Sequence, residues 1–296
     1  MAETVLVTGA GGFAGRHLVH ALRERGPVTA WTRSTVDLLD RAAVMDGIRH
    51  LRPTHVYHCA GSPHVATSWR DAATPLATNI IGTHHVLEAL HAAGCTSRVL
   101  IPGSATVYAP SDSPIHEGDT LRPESPYALS KLGQELLALR GAVEDGVQVV
   151  LTRSFNHIGP GQSAEFATSS FAKQIAAIER GEADPVLHVG NLEAERDFAD
   201  VRDVVRAYVE LMDHGAPQTI YNVASGVGRS IRSMLDMLLA RARVKVRVEI
   251  DPDRLRPHDV PRLVGDYSRL HQATGWKPSL SLDRTLDDLL EYWRLR

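Results

Sequence analysis

Residues 8–15 read Thr-Gly-Ala-Gly-Gly-Phe-Ala-Gly, directly after the apolar run Val5-Leu6-Val7 and directly before a helical pattern. This order predicts a strand that ends in glycines and opens a helix. Such a turn lets backbone N–H groups and the positive end of a helix approach a pyrophosphate closely. The positions of Gly9, Gly12 and Gly15 therefore predict a dinucleotide-binding turn at the start of the chain.

The first half of the chain alternates strand-like and helical segments with short connections. Strand-like runs occur at 4–8, 27–32, 54–60, 97–102 and 147–152, and helical patterns lie between them at about 13–25, 41–50, 75–93 and 126–143. Pro75 and Pro126 lie near two of these helix starts, where a preset φ and a missing N–H donor are tolerated. The alternation predicts an α/β fold, a Rossmann-type doubly wound parallel sheet.

After residue 155 the alternation becomes less regular. The pattern predicts a turn-rich loop at 156–162, helices at about 168–180 and 201–213, strands at 186–189 and 219–223, a helix from Ser230 to Leu239, and a strand over 241–249 with four basic residues on one face. We therefore expect residues 1–155 to form the dinucleotide-binding domain, with 201–225 returning to its sheet. Residues 156–200 and 226–296 are expected to form a smaller C-terminal, substrate-facing lobe.

Composition excludes some partners. The 296 residues are 43% hydrophobic and 23% charged, with a formal net charge of −3, which gives no reason to expect nucleic acid or an anionic membrane as partner. No signal-peptide pattern and no apolar stretch of membrane-spanning length is present. Cys59 and Cys95 lie far apart, and Cys59 is predicted to be a buried free thiol. We expect a cytoplasmic, reduced protein.

A second motif supports a catalytic function. Residues 127–131 read Tyr-Ala-Leu-Ser-Lys, so Tyr127 and Lys131 are four apart on a predicted helix and share one face. A phenol with a pKa near 10 is a poor acid–base catalyst at neutral pH, and a nearby ammonium is expected to lower that pKa. Ser104, at the end of another predicted strand, would supply a hydroxyl to the substrate carbonyl. With the glycine turn, these residues predict hydride chemistry coupled to proton transfer beside a nicotinamide cofactor.

The choice between the two nicotinamide cofactors depends on the end of the second predicted strand. An NAD enzyme usually offers a carboxylate there to the ribose 2′-hydroxyl. This chain instead has Arg33, and its first acid is Asp37. A guanidinium suits a 2′-phosphate, so NADPH is favoured, with NADH possible if Arg33 points away. Asp37 and Leu38 are expected to line the adenine.

These motifs resemble the extended short-chain dehydrogenase/reductase superfamily, in its nucleotide-sugar branch, over essentially the whole chain. The resemblance implies that Tyr127 is the general acid/base, Lys131 its activator and Ser104 the hydroxyl partner. Dehydratases of this branch carry an acid two places after the catalytic Ser or Thr. Here that place is Thr106, which disfavours a dehydratase and leaves a reductase or a 4-epimerase.

Three further segments, at 153–162, 190–197 and 256–259, look most like the GDP-6-deoxy-D-mannose reductases of that branch. The resemblance implies that Asn156 and Lys173 approach the sugar diphosphate, and that Arg196 and Arg256 neutralise it and border the base. It does not by itself identify guanine over uracil or thymine. It also implies a homodimer formed by the helices at 75–93 and 126–143.

The expected contacts form two sets. The cofactor set is Gly9, Gly12, Phe13, Gly15, Arg33, Asp37, Leu38, Ala60, Asn79, Tyr127 and Lys131, and the substrate set is Thr106, Asn156, Lys173, Arg196 and Arg256. No metal site is expected, because the histidine pairs lack a third ligand at a zinc-like spacing.

The prediction is an NADPH-dependent reductase of the 4-keto group of a nucleotide-linked 4-keto-6-deoxy sugar. The expected reaction converts GDP-4-dehydro-6-deoxy-D-mannose to GDP-D-rhamnose. One alternative is a nucleotide-sugar 4-epimerase, which uses the same three residues and keeps its NAD bound. Another is a catalytically idle NADP-binding regulator. The intact set of Ser104, Tyr127 and Lys131 argues against the regulator, because a sensor needs no proton donor.

Overall fold

The computed structural model describes residues 3–63, 65–144, 147–254 and 260–296. The elements of the first half, in chain order, are β1 (Val5–Thr8), α1 (Phe13–Arg23), β2 (Val28–Trp31), α2 (Arg41–Leu51), β3 (His55–His58), α3 (Val65–Ser68), α4 (Ala73–Leu76), a π-helical turn (Ala77–Ile81), α5 (Gly82–Ala92), β4 (Arg98–Ser104), a 3-10 turn (Ala105–Val107), α6 (Pro126–Glu144) and β5 (Gln148–Ser154).

The second half has shorter strands. Its elements are β6 (Asn156–Ile158), α7 (Ala167–Glu179), β7 (Val186–Val189), β8 (Glu195–Asp200), α8 (Val201–His214), β9 (Thr219–Val223), β10 (Gly228–Ser230), α9 (Ile231–Leu239), β11 (Arg247–Ile250), a 3-10 turn (Pro252–Arg254), β12 (Arg262–Leu263), α10 (Ser268–Thr274) and α11 (Leu282–Arg294). None of the helices in the described residues is long and apolar enough to cross a membrane.

The main sheet has six strands in the order β2-β1-β3-β4-β5-β9, and every neighbouring pair is parallel. Its apolar strands are buried on both faces, which is why they read as continuous hydrophobic runs. One face packs against α1 and α8 through residues such as Leu18 and Leu211. The other packs against α2, α5 and α6 through residues such as Ile48 and Leu90. The predicted doubly wound parallel sheet is confirmed.

This topology fixes where a ligand can bind. The strand order reverses at β1, so the connections from β1 and from β3 leave the sheet on opposite sides. In open α/β sheets the crevice outside the carboxyl ends of the strands at such a point is the usual ligand site. Thr8 and Ser104, the last residues of β1 and β4, end at this edge of the sheet.

The smaller lobe is built on two short sheets. One joins β10, β8 and β12, with β6 pairing to β8, and the other pairs β7 with β11 in parallel. Helices α7, α9 and α11 cover them, and their apolar faces meet in a core that includes Phe171, Leu235 and Leu289. The domain boundaries at residues 155, 200 and 225 stay a prediction.

Three local expectations differ from the structure. The strand predicted over 241–249 is confined to β11, because Arg241 turns away to Asp283 and Asp287 of α11, at 2.6 and 2.7 Å. The predicted loop at 156–162 begins with β6. The helix predicted at 75–93 begins at Ala73, because Pro75 falls in a first turn, where its missing N–H costs nothing.

Candidate active site

The glycine turn after β1 is packed so closely that side chains are excluded from it. A Cβ on Gly9, whose φ is +67°, would lie 2.5 Å from the Cα and N of Ala60, and one on Gly15 would lie 2.2 Å from the carbonyl oxygen of Gly9. The turn therefore rests directly on the end of β3. Gly12 is the N-cap of α1 and has no side chain to cap it, so the first N–H groups of the helix remain available to a ligand. This backbone cradle fits the pyrophosphate of a dinucleotide.

Phe13 and its neighbours connect this turn to the loop after β6. The Phe13 ring stacks on His157 with 5.7 Å between centroids. The His17 Nε2 lies 2.8 Å from the Pro160 carbonyl oxygen, and the Arg16 guanidinium donates to the Gly161 carbonyl at 2.9 Å. The start of α1 thus fixes the loop that begins at Asn156. A cofactor contact by Phe13 stays a prediction.

Arg33 and Asp37 contact each other just after β2. They are the two candidates for contacting the 2′ position of the cofactor's ribose. Arg33 Nε lies 3.5 Å from Asp37 Oδ2, and the Arg33 side chain is 87% exposed. Asp37 Oδ1 also accepts the N–H of Leu39 at 3.0 Å. Leu38 itself is buried. The Arg33 guanidinium thus lies at the surface beside the crevice. Within the part of the chain that the structure describes, its ion-pair partner is the exposed carboxylate of Asp37.

Ser104, Thr106 and Tyr127 bring their hydroxyls together beyond β4. Ser104 Oγ lies 2.9 Å from Thr106 Oγ1, and the Thr106 N–H donates to Ser104 Oγ at 3.3 Å. The Tyr127 hydroxyl is hydrogen-bonded to Ser104. Helix α6 brings Tyr127 here because it begins at Pro126, directly after Ser125, whose hydroxyl accepts the N–H of Ala128 at 3.1 Å. The site therefore holds three neutral hydroxyls.

The charge state of Tyr127 differs from the sequence expectation. Burial raises the pKa of the Tyr127 phenol above its ordinary value, and the hydrogen bond from Ser104 only partly offsets this. The expected lowering by Lys131 is wrong for this structure, because the Lys131 ammonium is hydrogen-bonded elsewhere. Tyr127 is consequently a protonated phenol at neutral pH, which is the form that can donate a proton.

Lys131 lies one helical turn beyond Tyr127 and is buried. Its Nζ donates to the Pro102 carbonyl oxygen and to Gln134 Oε1, each at 2.6 Å. Burial lowers the pKa of the Lys131 ammonium to about 8. Neither Gln134 nor the Pro102 carbonyl appears among the residues that the sequence motifs identify. Gln134 could have been noticed only by its position three residues after Lys131 on the same helix face.

Asn79 lies in the π-helical turn and is fully buried. Its Oδ1 accepts the N–H of Ser62 at 2.9 Å, and its Nδ2 donates to Ser130 Oγ at 2.8 Å. Asn79 therefore braces the segment after β3, which carries Ala60, against α6. Direct cofactor contacts by Asn79 and Ala60 stay predictions, and the observed hydrogen bonds show Asn79 acting through its neighbours.

Of the predicted substrate residues, Thr106 lies beside Ser104, and Asn156, Arg196 and Lys173 lie in the smaller lobe in two places. Asn156 is exposed on β6, and the half-buried Arg196 lies on the adjacent strand β8, where Nη1 donates to the Glu195 carbonyl at 2.8 Å. Lys173 lies on α7, with Nζ 5.5 Å from the centre of the Trp293 ring. Arg256 lies outside the described residues.

A groove of about 700 Å³ runs between α7, β7 and β11. Lys173, His188 and Arg254 line it, together with Glu249. Arg254 and His188 were not among the sequence candidates. The signal that could have indicated Arg254 is its position two residues before Arg256 in the same segment. The groove is large enough for a nucleotide-sized ligand.

Comparison with known proteins gives matches over most or all of the chain. The family model of GDP-mannose 4,6 dehydratase matches residues 29–289. The chain is 38% identical, over 100% of its length and 99% of the relative's, to GDP-6-deoxy-D-mannose reductase from Pseudomonas aeruginosa. It is 27% identical to GDP-mannose 4,6 dehydratase 2 from Arabidopsis thaliana, over 86% of this chain and 69% of that one.

Two solved structures also match over nearly the whole chain. RMD from Pseudomonas aeruginosa, complexed with NADPH, superposes with a TM-score of 0.91 at 37% identity and covers 100% of both chains. The UDP-glucose 4-epimerase of Thermus thermophilus, in complex with NAD, superposes with a TM-score of 0.87 at 28% identity over 98% of both chains.

Proposed function

We propose, from the premise that this chain belongs to the extended short-chain dehydrogenase/reductase family and to its GDP-sugar enzymes, that it is an NADPH-dependent 4-ketoreductase. The proposed reaction reduces GDP-4-dehydro-6-deoxy-D-mannose to GDP-D-rhamnose. The observation that carries this proposal is the whole-chain identity of 38% to a GDP-6-deoxy-D-mannose reductase. Thr106 supports it against a dehydratase, because a threonine hydroxyl cannot serve as the extra acid that elimination needs.

The arrangement of the hydroxyls supports proton donation by Tyr127. The raised pKa keeps the phenol protonated at neutral pH. When bound, the reduced dinucleotide supplies the hydride to C4 of the keto sugar. Tyr127 then gives its proton to the carbonyl oxygen, so that ketone, hydride and proton together give the alcohol. Ser104 holds the same oxygen, and Lys131 stays charged below a pH of about 8.

The cofactor is proposed to lie across the carboxyl ends of β1 and β3. The backbone of Gly9, Gly12 and Gly15 would hold its pyrophosphate. Arg33 would pair with the 2′-phosphate of NADPH by giving up part of its contact with Asp37. NADH remains the possible alternative, in which Asp37 rather than Arg33 contacts the ribose.

The nucleotide diphosphate is proposed to occupy the smaller lobe. Its negative charge needs fixed cations, and Lys173 and Arg254 line the groove there. Arg196 and Asn156 lie on adjacent strands at the start of the same lobe, and Arg256 is expected to join them. GDP is proposed as the nucleotide from the names of the relatives.

A homodimer and a cytoplasmic location are proposed as well. Leu129 and Leu136 of α6 are 52% and 58% exposed, and Ile81, at the end of the π-helical turn, is 46% exposed. Leu129 and Leu136 are seven residues apart and so share one helix face, which a second copy would cover. Cys59 and Cys95 are free thiols, which suits a reducing compartment.

The decisive experiment supplies freshly prepared GDP-4-dehydro-6-deoxy-D-mannose with NADPH or NADH. We expect stoichiometric loss of reduced-nicotinamide absorbance and a GDP-6-deoxyhexose product, with Tyr127→Phe as the inactive control. A parallel reaction contains UDP-glucose without added cofactor. Interconversion of UDP-sugars in that reaction, with no oxidation of NADPH in the first, would instead identify an epimerase.

A further inference from the structure

We propose that Gln134 is a positioning residue that holds the Lys131 ammonium, and that Thr83 and His58 fix Gln134 in turn through a buried chain of hydrogen bonds that reaches Thr8. The geometry of this series of hydrogen bonds does not depend on which reaction the protein catalyses. Its consequence for catalysis rests on the proposed function, in which the Lys131 side chain works as a charged ammonium.

The chain of hydrogen bonds joins four elements. Lys131 Nζ donates to Gln134 Oε1 at 2.6 Å, and Gln134 Nε2 donates to Thr83 Oγ1 at 2.8 Å. Thr83 Oγ1 lies 2.9 Å from His58 Nε2, and His58 Nδ1 lies 2.9 Å from Thr8 Oγ1. All five side chains are buried, and Thr83 and Thr8 are fully inaccessible. Buried polar groups of this kind are costly unless each is satisfied.

Counting the available donors and acceptors fixes the direction of each hydrogen bond. The Thr83 hydroxyl donates its single proton to the Asn79 carbonyl at 2.6 Å, one turn earlier. Thr83 Oγ1 must therefore accept from both Gln134 and His58, which uses its two lone pairs. Gln134 consequently presents Nε2 to Thr83 and Oε1 to Lys131. The reverse orientation would place an amide donor against an ammonium.

The same count of donors and acceptors determines the tautomer of His58. Because Thr83 accepts, His58 carries its proton on Nε2, and Nδ1 accepts the proton of Thr8. Burial lowers the pKa of His58 to about 3, so it is neutral. The Ala60 N–H also donates to Thr8 Oγ1, at 3.3 Å. The chain of bonds thus begins beside the glycine turn and ends at the ammonium.

The acceptors of Lys131 are neutral. An ammonium has three donors, and the Pro102 carbonyl and Gln134 take two of them. Among the residues that the structure describes, these two are the acceptors of Lys131, which leaves one donor for a ligand in the crevice. A carboxylate in place of Gln134 would raise the pKa of Lys131 by direct attraction, and an apolar residue would lower it further.

The neighbouring titratable groups do not mask this effect. His58 of β3 and Cys59, the residue after β3, face Lys131. Burial raises the pKa of the Cys59 thiol to about 12 and lowers that of His58, so both groups are neutral over the relevant pH range. On α6 itself Tyr127 is protonated, and its pKa is raised. β4 contributes the Pro102 carbonyl and Ser104, and the π-helical turn and α5 contribute uncharged Asn79 and Thr83. Burial is therefore the main cause of the lowered pKa of Lys131, and its hydrogen bonds to Gln134 and Pro102 are the contacts that favour the charged form.

The test is a titration of lysine side chains by NMR in the cofactor-free protein. The sequence contains four lysines, Lys131, Lys173, Lys245 and Lys277, so carbon-labelled lysine gives few signals and Lys131→Met identifies the one of interest. We expect Gln134→Leu to lower the pKa of Lys131 by about one unit and Gln134→Glu to raise it by about one unit or more. Gln272→Leu, at an exposed position on α10, is the matched control and should change nothing.

A second pair of variants keeps the proposal testable if Gln134→Leu does not fold. Thr83→Val removes the acceptor that anchors Gln134, and we expect it to lower the pKa of Lys131 in the same direction. Thr83→Ser keeps the hydroxyl and should restore the wild-type value. A Lys131 pKa that is unchanged in Gln134→Leu, Gln134→Glu and Thr83→Val would overturn the proposal.

Turnover measured against pH separates this inference from the proposed function. We expect the alkaline limb of kcat to move down in Gln134→Leu and up in Gln134→Glu, parallel to the NMR values, and the affinity for NADPH above pH 8 to change in the same directions. If the NMR values shift and the pH profile does not, Gln134 still holds Lys131, and the catalytic role proposed for Lys131 fails.

Discussion

Arg33 and Asp37, four residues apart in the loop after β2, form an ion pair with 3.5 Å between Arg33 Nε and Asp37 Oδ2. The residue that would attract a 2′-phosphate is thus held by the residue that would bind a ribose 2′-hydroxyl. The pair is exposed, so it contributes little to stability and can rearrange around either cofactor.

The first prediction concerns this pair. Arg33→Ala should weaken NADPH binding by about tenfold and change NADH binding by less than about twofold, because only NADPH carries the 2′-phosphate. The wild-type preference for NADPH should shrink as salt rises, since an exposed pair is screened. Fluorescence titration with both cofactors measures this, and Arg232→Ala, remote on α9, is the control. A wild type that prefers NADH would show that Asp37 reads the ribose.

The second prediction concerns the proton donor. Tyr127→Phe removes the hydroxyl that is hydrogen-bonded to Ser104 and should lower turnover by roughly 10²–10⁴-fold, the usual size of a general-acid contribution. NADPH affinity should stay near the wild-type value. Stopped-flow measurement of a single turnover tests this, and activity within a few-fold of wild type would assign the proton to another group.

The third prediction concerns the diphosphate. Arg196→Ala and Arg256→Ala should each weaken GDP binding by roughly 1.5–3 kcal/mol, the scale of a hydrogen bond to a charged group. The loss should appear with GDP alone, because the contact is to the diphosphate and not to the keto sugar. Calorimetric titration measures it, and unchanged GDP affinity in both variants would place these arginines outside the nucleotide site.

The fourth prediction follows from the neutral His58. Its pKa falls from 6.5 in the unfolded chain to about 3 in the folded protein. Between these values the unfolded chain binds a proton that the folded protein does not, so stability is lost as pH falls below about 6.5. His58→Gln should lose part of this slope, on the order of a few kcal/mol across the window. Urea unfolding at several pH values measures it, and parallel slopes in the two proteins would contradict it.

The fifth prediction concerns assembly. Leu136→Glu places a charge on the exposed apolar face of α6 and should convert a dimer to a monomer, because a buried unpaired carboxylate is strongly unfavourable. Leu295→Glu, at a residue that is 78% exposed at the C-terminus, should leave the assembly unchanged. Light scattering after size exclusion distinguishes the two. A wild-type protein that is already monomeric at micromolar concentration would refute the proposed dimer.

The sequence by itself determined the parallel sheet, the glycine turn at Gly9 and the shared face of Tyr127 and Lys131. Each of these depends on a local pattern, such as an apolar run, a residue without Cβ or a spacing of four on a helix, and local geometry follows directly from it.

Only the tertiary structure decided what surrounds those residues. The partner of Arg241 is α11, the pKa of Tyr127 follows its burial, and the acceptors of Lys131 include Pro102 of β4. The anchor of Gln134 is Thr83, fifty-one residues away in sequence. Such contacts join elements distant along the chain, and burial then sets proton affinity through desolvation, which no local pattern encodes.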